Sequence, residues 1–354
     1  MIYASIAAIF LSFWFSAVDT TQAEALVNAG HMKRARALLE PLQRSNPKEA
    51  RVLYLLSEVK EGFGDLDGAL QLAEQVLVID SQNADYHSWV AVVCGELAEK
   101  ANIFRQAALA RRTKKEAETA ISLNPKHVDA RSVLVNFYME APTIVGGDRQ
   151  KARETAAELA RIDPAEGASA RAVIALAEND KTALEAAYND EAKVGPQSYD
   201  AQMEGARYFA SDPVGKYDLA EKYARAALKI DPGRGGAYAV LATVLARAGR
   251  VAELDGLLVQ AEKNDSDDFE GYYQAAHAFL ATGKELPRAE SYLRKYLTQE
   301  PEAGTPDLAT AHWQLGLVLE KLGRKPEAIT EVGKAVQMRP NFDDAKKDLK
   351  RMKP

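Results

Sequence analysis

The chain has 354 residues, of which 47% are hydrophobic and 27% are charged. This composition is typical of a folded soluble protein and excludes wholesale disorder. The net charge of -6 leaves no basic field to hold a phosphate backbone, so we expect no nucleic-acid partner. The single cysteine, Cys94, excludes an internal disulfide framework and a cysteine-rich zinc site.

The N-terminal segment is apolar. Residues 1–18 contain no charged side chain, and the small residues Ala23 and Ala25, or Thr21 and Ala23, follow at positions that suit signal peptidase. We therefore predict that residues 1–23 are a secretory signal peptide. A retained N-terminal membrane anchor and a buried first helix are the alternatives, because the run is at the short limit for spanning a bilayer.

A short pattern then recurs along the chain. A glycine is followed by an alanine five positions later and by a proline or serine twelve positions after that, first at Gly30, Ala35 and Pro47. A glycine permits the positive φ that ends a first helix, and a proline stops a second one. Each copy therefore predicts a hairpin of two helices. Later copies end at Ser81, Pro125, Pro164, Pro232, Ser266, Pro301 and Pro340.

The clearest copy spans residues 309–340. Its pattern residues are Leu315, Gly316, Leu319, Gly323, Ala328, Val332, Ala335 and Pro340. With these residues the pattern resembles the tetratricopeptide repeat, a helical hairpin that stacks into arrays, and the chain resembles bacterial exported proteins of this kind. The resemblance covers residues 20–354. It implies an all-α, right-handed superhelix of about nine hairpins with a C-terminal capping helix.

The copies define the domain boundaries. We predict that residues 24–340 form the repeat array, with a degenerate copy at 167–197 and irregular insertions near 101–110 and 142–148. Residues 341–354 are predicted to form a basic capping helix, because an open array needs a polar end to cover its core.

The first irregular segment, residues 98–120, lacks glycine and proline, so we expect one unusually long helix or two helices in line. Its basic stretch from Arg105 to Lys115 is expected to be a solvated helix face, with contact to an acidic partner or an anionic surface as the alternative. The second irregular segment, Pro142–Asp148, resembles an expanded turn of exported tetratricopeptide proteins. There we expect Ile144 and Val145 to pack between hairpins, and a partner-contacting loop is the alternative.

The sequence shows no constellation typical of catalysis. The five histidines are scattered over different repeats, and no metalloprotease, nucleophile-elbow, phosphate-loop or dinucleotide motif is present. Cys94 falls on a helix face that is directed to a hairpin core, where we expect it to act as a small hydrophobic residue. We therefore expect no enzyme activity, no cofactor and no metal site.

The resemblance implies that the first helices of the hairpins line a concave groove that binds peptides or proteins. Counting inward positions along these helices gives ten candidate partner-binding residues. They are Tyr54, Glu58, Ser88, Ser132, Asn136, Tyr199, Gln202, Tyr273, His277 and Trp313. Tyr273 and Trp313 are the expected aromatic anchors, and simple packing between helices is the alternative for both.

The expected function is that of a non-catalytic protein–protein interaction scaffold. The alternative is an accessory or assembly subunit of a membrane-bound envelope, secretion or polysaccharide complex. With either function, we expect the protein to be exported to the bacterial periplasm or cell envelope. It would contact a membrane only through an uncleaved N-terminal segment.

Overall fold

The computed structural model describes residues 20–353. Within this range the secondary structure is helical throughout, and the predicted all-α class is confirmed. The chain divides into two compact units, with the boundary between Gly195 and Pro196. The signal peptide or anchor was predicted for residues 1–23, and most of that segment lies outside the described residues.

Unit 1 contains five helical hairpins in the described part of the chain, and each hairpin pairs one odd-numbered helix with the next even-numbered helix. The helices are α1 (20–28), α2 (Met32–Ser45), α3 (Ala50–Gly62), α4 (Leu66–Ile79), α5 (Ala84–Lys100), α6 (Ile103–Leu123), α7 (Val128–Glu140), α8 (Arg149–Ile162), α9 (Pro164–Ala177) and α10 (Lys181–Val194).

Unit 2 contains four further hairpins and a final single helix. The helices are α11 (Tyr199–Ala210), α12 (Tyr217–Ile230), α13 (Gly235–Arg247), α14 (Val251–Asn264), α15 (Glu270–Thr282), α16 (Leu286–Tyr296), α17 (Leu308–Lys321), α18 (Lys325–Met338) and α19 (Asp343–Met352). The expected nine hairpins and C-terminal helix are therefore all present in residues 20–353.

The turn between α3 and α4 shows how the repeat glycine shapes a hairpin. Gly64 has a φ of +78°, and its N–H donates to the Glu61 carbonyl at 2.7 Å. The Asp65 N–H then donates to the Lys60 carbonyl at 2.8 Å, and the Asp65 carboxylate accepts from the Gly68 N–H at 3.0 Å. The last carbonyls of one helix and the first N–H groups of the next are thereby satisfied within a few residues.

The fifth hairpin achieves the same turn without glycine. Asn179, between α9 and α10, adopts a φ of +57°, and asparagine is one of the few other residues that tolerates this conformation. At the other end of α9, Asp163 is the only residue between α8 and α9 and accepts from the N–H groups of Ala165 and Glu166. Pro164 therefore begins a helix instead of following one, a position where its missing N–H costs nothing.

The two helices of a hairpin approach closely at small residues. Ala69, Ala220, Ala289 and Ala328, each the pattern alanine of its second helix, are fully buried. At Gly316 on α17 no side chain fits at all, because a Cβ atom would lie 3.0 Å from the Ala328 carbonyl oxygen and would overlap the Val332 side chain.

The first irregular segment, residues 98–120, differs from the expected structure. Residues 98–120 do not form one helix or two helices in line, because the chain turns at Ala101 and Asn102 and α5 and α6 pack side by side. Asn102 makes this turn possible by capping α6 through the Arg105 N–H. The resulting helices of 17 and 21 residues are the longest of unit 1 within the described range.

Three basic residues of the stretch on α6 have acidic partners nearby. Arg105 pairs with Asp67 and Arg112 pairs with Glu74, both on the preceding second helix α4. Lys114 lies 3.7 Å from Glu118 on its own helix. These pairs agree with the expectation of a solvated helix face.

The final helix α19 covers the end of unit 2. Ala345 and Met352 are fully buried, and the Arg351 guanidinium forms two bonds to the Glu320 carboxylate on α17, at 2.6 and 2.8 Å. The helix α19 turns apolar side chains to the array and charged ones outward, which is the arrangement expected of the predicted capping helix. None of the helices between residues 20 and 353 is long and apolar enough to cross a membrane.

We expect Gly316→Ala to lower the free energy of unfolding by about 1–3 kcal/mol, because the added methyl group forces α17 and α18 apart. Gly333→Ala on α18 is the matched control, since no atom lies within 4 Å of its added Cβ. That variant should raise stability by about 0.5–1 kcal/mol through helix propensity. Urea unfolding followed by circular dichroism measures both, and equal effects would contradict the close-packing argument.

Candidate functional site

The ten candidate residues are distributed over both units. In unit 1, α5 contacts α7 and α7 contacts α9, so first helices of successive hairpins lie side by side. In unit 2, α11, α13, α15 and α17 form the same kind of row. These rows are the surfaces on which the candidate residues were predicted.

In unit 2 the candidate residues pack against other residues of the same unit. Tyr273 is only 4% exposed; its ring stacks with the His277 ring and contacts the Tyr296 ring at a tilt. His277 accepts a hydrogen bond from Gln314 Nε2 at 2.8 Å. Trp313 packs its ring on Phe342, next to α19.

The remaining unit 2 candidates are also held by their neighbours. The Trp313 N–H donates to Asp348 on α19 at 2.9 Å, so this ring fastens the capping helix. Tyr199 is buried, accepts the Ala237 N–H at 3.0 Å and lies beneath the Arg234 guanidinium. Gln202 is buried as well. These side chains hold successive repeats together.

In unit 1 the aromatic candidate Tyr54 joins two repeats. Its ring contacts Tyr86 and Trp89 on α5, with centroid distances of 5.2 and 6.1 Å. The Trp89 N–H donates to the Ser57 hydroxyl at 2.7 Å, and that hydroxyl donates to the Ala69 carbonyl at 2.7 Å. Ser88, beside Trp89, is buried. Tyr54 and Ser88 therefore support the row of first helices.

The other unit 1 candidates lie near an open pocket of about 650 Å³ between the third and fourth hairpins. Ser132 and the exposed Asn136, both on α7, line it directly. The expanded turn supplies Pro142, Ile144 and Val145 to the wall. Both irregular segments of the sequence therefore meet at one cavity.

The pocket is predominantly apolar. Ala91 and Val92 on α5, Ala107 and Ala110 on α6, and Phe137 on α7 form much of its lining. This size falls within the roughly 300–1,000 Å³ of pockets that bind ligands.

Large apolar side chains stand exposed beside the pocket. Ile144 is 91% exposed, which corrects the expectation that it packs between hairpins, whereas Val145 does pack against the core. Ile103, at the start of α6, is 75% exposed and also lines the pocket. Phe104, the next residue, is 88% exposed. Exposed apolar side chains gathered at a pocket mark an interaction surface more often than scattered ones.

The backbone of the turn explains why Ile144 projects. Residues Thr143–Val145 form one turn of 3-10 helix, which ends at Gly146 with a φ of +112°. The Gly147 N–H donates to the Pro142 carbonyl at 3.2 Å, and the Asp148 N–H donates to the Tyr138 carbonyl at 2.9 Å. These bonds fix the loop on the end of α7 with Ile144 outermost.

Carboxylates surround the apolar surface. We define the acidic strip as Glu58 and Glu61 on α3, Glu96 and Glu99 on α5, and Asp129 and Glu140 on α7. Glu61 is hydrogen-bonded to Glu96, Glu58 is influenced by Asp129, and Glu140 is influenced by Glu99. Four of the six, Glu96, Glu99, Asp129 and Glu140, line the pocket itself.

Burial and mutual repulsion raise the pKa values of four of these carboxyls, those of Glu58, Glu61, Glu96 and Glu140. Burial, followed by the Glu61 carboxyl, raises the pKa of Glu96 to about 7. Burial also raises the pKa of Glu58 to about 7, against the pull of Tyr54 and Arg51. The pKa of Glu140 is raised by burial and then by Glu99. Within residues 20–353 none of the six forms an ion pair with a lysine or arginine.

Two family models match the sequence. Residues 20–158 match the family described as Regulator of microtubule dynamics protein 1-3, and residues 273–346 match the family described as Tetratricopeptide repeat. Residues 273–346 are therefore tetratricopeptide repeats, and the described residues 20–353 form a helical repeat array. No curated protein matches the sequence. The first of the two matches spans α5, α6, α7 and the expanded turn, and therefore nearly the whole pocket.

Several solved structures are similar to this chain. A protein of the same repeat class from Thermus thermophilus is 18% identical, with a TM-score of 0.47, and the match covers 60% of this chain and 99% of that one. Yeast Tom70 is 15% identical, with a TM-score of 0.46, covering 95% and 81%. The APC/C hetero-tetramer Cut9–Hcn1 gives 14% identity and a TM-score of 0.44, covering 95% and 77%.

Cys94 and the histidines have structural roles in this repeat protein. Cys94 is fully buried, and burial raises the pKa of its thiol to about 11, as expected for a core residue. His87 contacts Glu116, and His312 contacts Glu331, each at 2.6 Å. No group of histidine, cysteine and carboxylate side chains suited to a metal occurs in residues 20–353.

Sequence reasoning found two pocket residues, Ser132 and Asn136, and both irregular segments. Of the acidic strip it found only Glu58, and it missed the exposed Ile103. The sequence does contain a signal for the strip. Two first helices each end with a pair of glutamates three residues apart, Glu58 and Glu61 on α3 and Glu96 and Glu99 on α5. The carboxylates become one group only because neighbouring helices bring them together.

We expect the Glu96→Gln variant to be more stable than wild type at about pH 8 and equally stable at about pH 4. The folded protein keeps a proton on Glu96 up to about pH 7, whereas in the unfolded chain this carboxyl returns to its ordinary pKa of 4.5, so the group lowers stability as pH rises between the two values. Urea unfolding at the two pH values measures the difference. If the variant and the wild type differ in free energy of unfolding by the same amount at both pH values, the raised pKa of Glu96 is contradicted.

Proposed function

We propose that this tetratricopeptide repeat protein is a non-catalytic scaffold that binds a protein partner at the pocket of unit 1. The observation that carries the proposal is the exposure of Ile103 and Ile144, which both line one apolar cavity. Exposing large apolar side chains to water is unfavourable, and burying each one against a partner contributes about 1.5–3 kcal/mol.

Two features of the surroundings support this assignment. The pocket lies on the row of first helices, the surface from which helical repeat proteins present extended binding faces. Its walls belong to regular helices and to a loop fixed by backbone hydrogen bonds, so little ordering entropy is lost on binding.

The candidate residues of unit 2 have a different role in this proposal. Tyr273 and Trp313 are occupied by packing against Tyr296 and Phe342, so their replacement would loosen unit 2 instead of removing a contact to a partner. Variants at the pocket therefore test binding more cleanly than variants at these rings.

Site-specific photo-crosslinking tests the scaffold proposal. A photoreactive phenylalanine analogue at position 144 should crosslink to a protein partner in cells, and the same analogue at position 78 should not. Val78 on α4 is 87% exposed, so it matches Ile144 in exposure and apolar character but lies away from the pocket. Crosslinks of equal yield at both positions, or none at 144, would reject the proposal.

We also propose that the protein is exported, on the strength of the apolar residues 1–18 and the small residues that follow them. Sequencing the N-terminus of the exported protein should find a chain that begins between residues 22 and 26. A soluble protein with Met1 intact would refute cleavage, and an intact chain found in membranes would favour the retained anchor and the envelope-assembly alternative.

A further inference from the structure

We propose that the segment bound in the unit 1 pocket is a basic amphipathic peptide segment, with large aliphatic or aromatic side chains in the pocket and lysine or arginine side chains on the acidic strip. This inference rests on the proposed scaffold function and adds the chemistry of the partner. It is carried by the apolar cavity, by the exposed apolar side chains and by the charge that surrounds them.

The pocket selects for several apolar side chains rather than one. A volume of about 650 Å³ exceeds what a single leucine or phenylalanine occupies, and the cavity is open along one side. Ile103 and Ile144 stand on different walls, one on α6 and one on the expanded turn. A segment lying between them can contact both, as the apolar face of a short helix does in a groove.

The negative charge of the pocket lining favours a partner segment with positive charge. The pocket lining includes five carboxylate residues and no lysine or arginine among the described residues. Four of these, Glu96, Glu99, Asp129 and Glu140, belong to the acidic strip, which continues onto Glu58 and Glu61 beyond the pocket.

The contrast with the rest of unit 1 makes this strip distinctive. On the second helix α4, Asp67 and Glu74 form ion pairs with Arg105 and Arg112, so these two acidic residues are already paired within the protein. On the acidic strip the nearest cationic influence on Glu96 is Lys100, which is outweighed by burial and by Glu61. A basic partner would supply the missing counter-charges.

An acidic or phosphorylated partner is disfavoured by the same arrangement. Placing a further negative charge beside carboxylates that already repel one another costs free energy, and like-charge juxtaposition suppresses wrong partners. A neutral apolar segment would gain the pocket contacts and would lose the electrostatic contribution.

Three synthetic peptides test the inference with the full chain. They share leucines at helical spacing, and their remaining positions are lysine in the first, glutamine in the second and glutamate in the third. Fluorescence anisotropy at about pH 8, where the strip carboxyls with raised pKa values are largely ionised, measures each dissociation constant at about 0.05 M and about 0.3 M salt. We expect the lysine peptide to bind at least about tenfold more tightly than the glutamine peptide at low salt, and the ratio to fall at high salt.

Matched variants locate the effect. In the double variant Glu99→Gln, Glu140→Gln, the lysine peptide should bind at most about threefold more tightly than the glutamine peptide. The dissociation constant of the glutamine peptide should not change. The control variant Glu40→Gln, Glu154→Gln makes the same change in net charge at exposed positions on α2 and α8 and should keep the preference. Ile144→Asp should weaken the glutamine peptide about tenfold or more, and Val78→Asp should not.

The outcomes separate the inference from the function on which it rests. Equal binding of the three peptides, an equal effect of the two double variants, or no binding by any peptide overturns the basic-partner inference. Crosslinking at position 144 without a preference for lysine leaves the scaffold standing and rejects only the chemistry assigned to its partner. Failure of crosslinking at 144 rejects the scaffold itself.

Discussion

The close crossing of two helices within each hairpin is the contact on which the rest of the structure depends. It requires a small residue where the helices meet, and Gly316 against Ala328 and Val332 is its tightest form in unit 2. Each hairpin alone leaves an apolar side uncovered, so the contact becomes stabilising only when neighbouring hairpins cover that side. The buried alanines, the turn glycines and the capping helix α19 all serve this arrangement.

The pocket of unit 1 arises where this regular packing is interrupted. The helices α5 and α6 run for 17 and 21 residues, so their joined ends extend beyond the usual length of the hairpin. The next hairpin compensates with the turn Pro142–Asp148, which returns along the end of α7 and leaves a cavity beside it. The longer hairpin and the longer turn therefore act as one feature, although the whole of α7 lies between them along the chain.

Electrostatics divides unit 1 into two kinds of surface. On the second helices, acidic and basic side chains of neighbouring repeats pair, as in Arg105 with Asp67, and exposed pairs of this kind contribute little beyond neutralising charge. On the first helices, the carboxylates of three successive repeats lie together with no ion pair to a lysine or arginine of residues 20–353, and burial holds a proton on Glu96 up to about pH 7. Carboxylates that lie together without counter-charges lower the free energy of unfolding, because they repel one another. Destabilising arrangements of this kind are common at binding sites.

The sequence by itself determined the helical class, the hairpin unit and the number of repeats, because glycine turns, crossing alanines and helix-stopping residues act locally and recur in register. It also identified Ser132, Asn136 and both irregular segments, since each departs from or belongs to that register. The tertiary structure alone decided that the two irregular segments share a pocket, that Ile144 faces solvent, and that Tyr273 and Trp313 are engaged in packing. Those outcomes depend on distances between side chains of different repeats, which the local pattern does not encode.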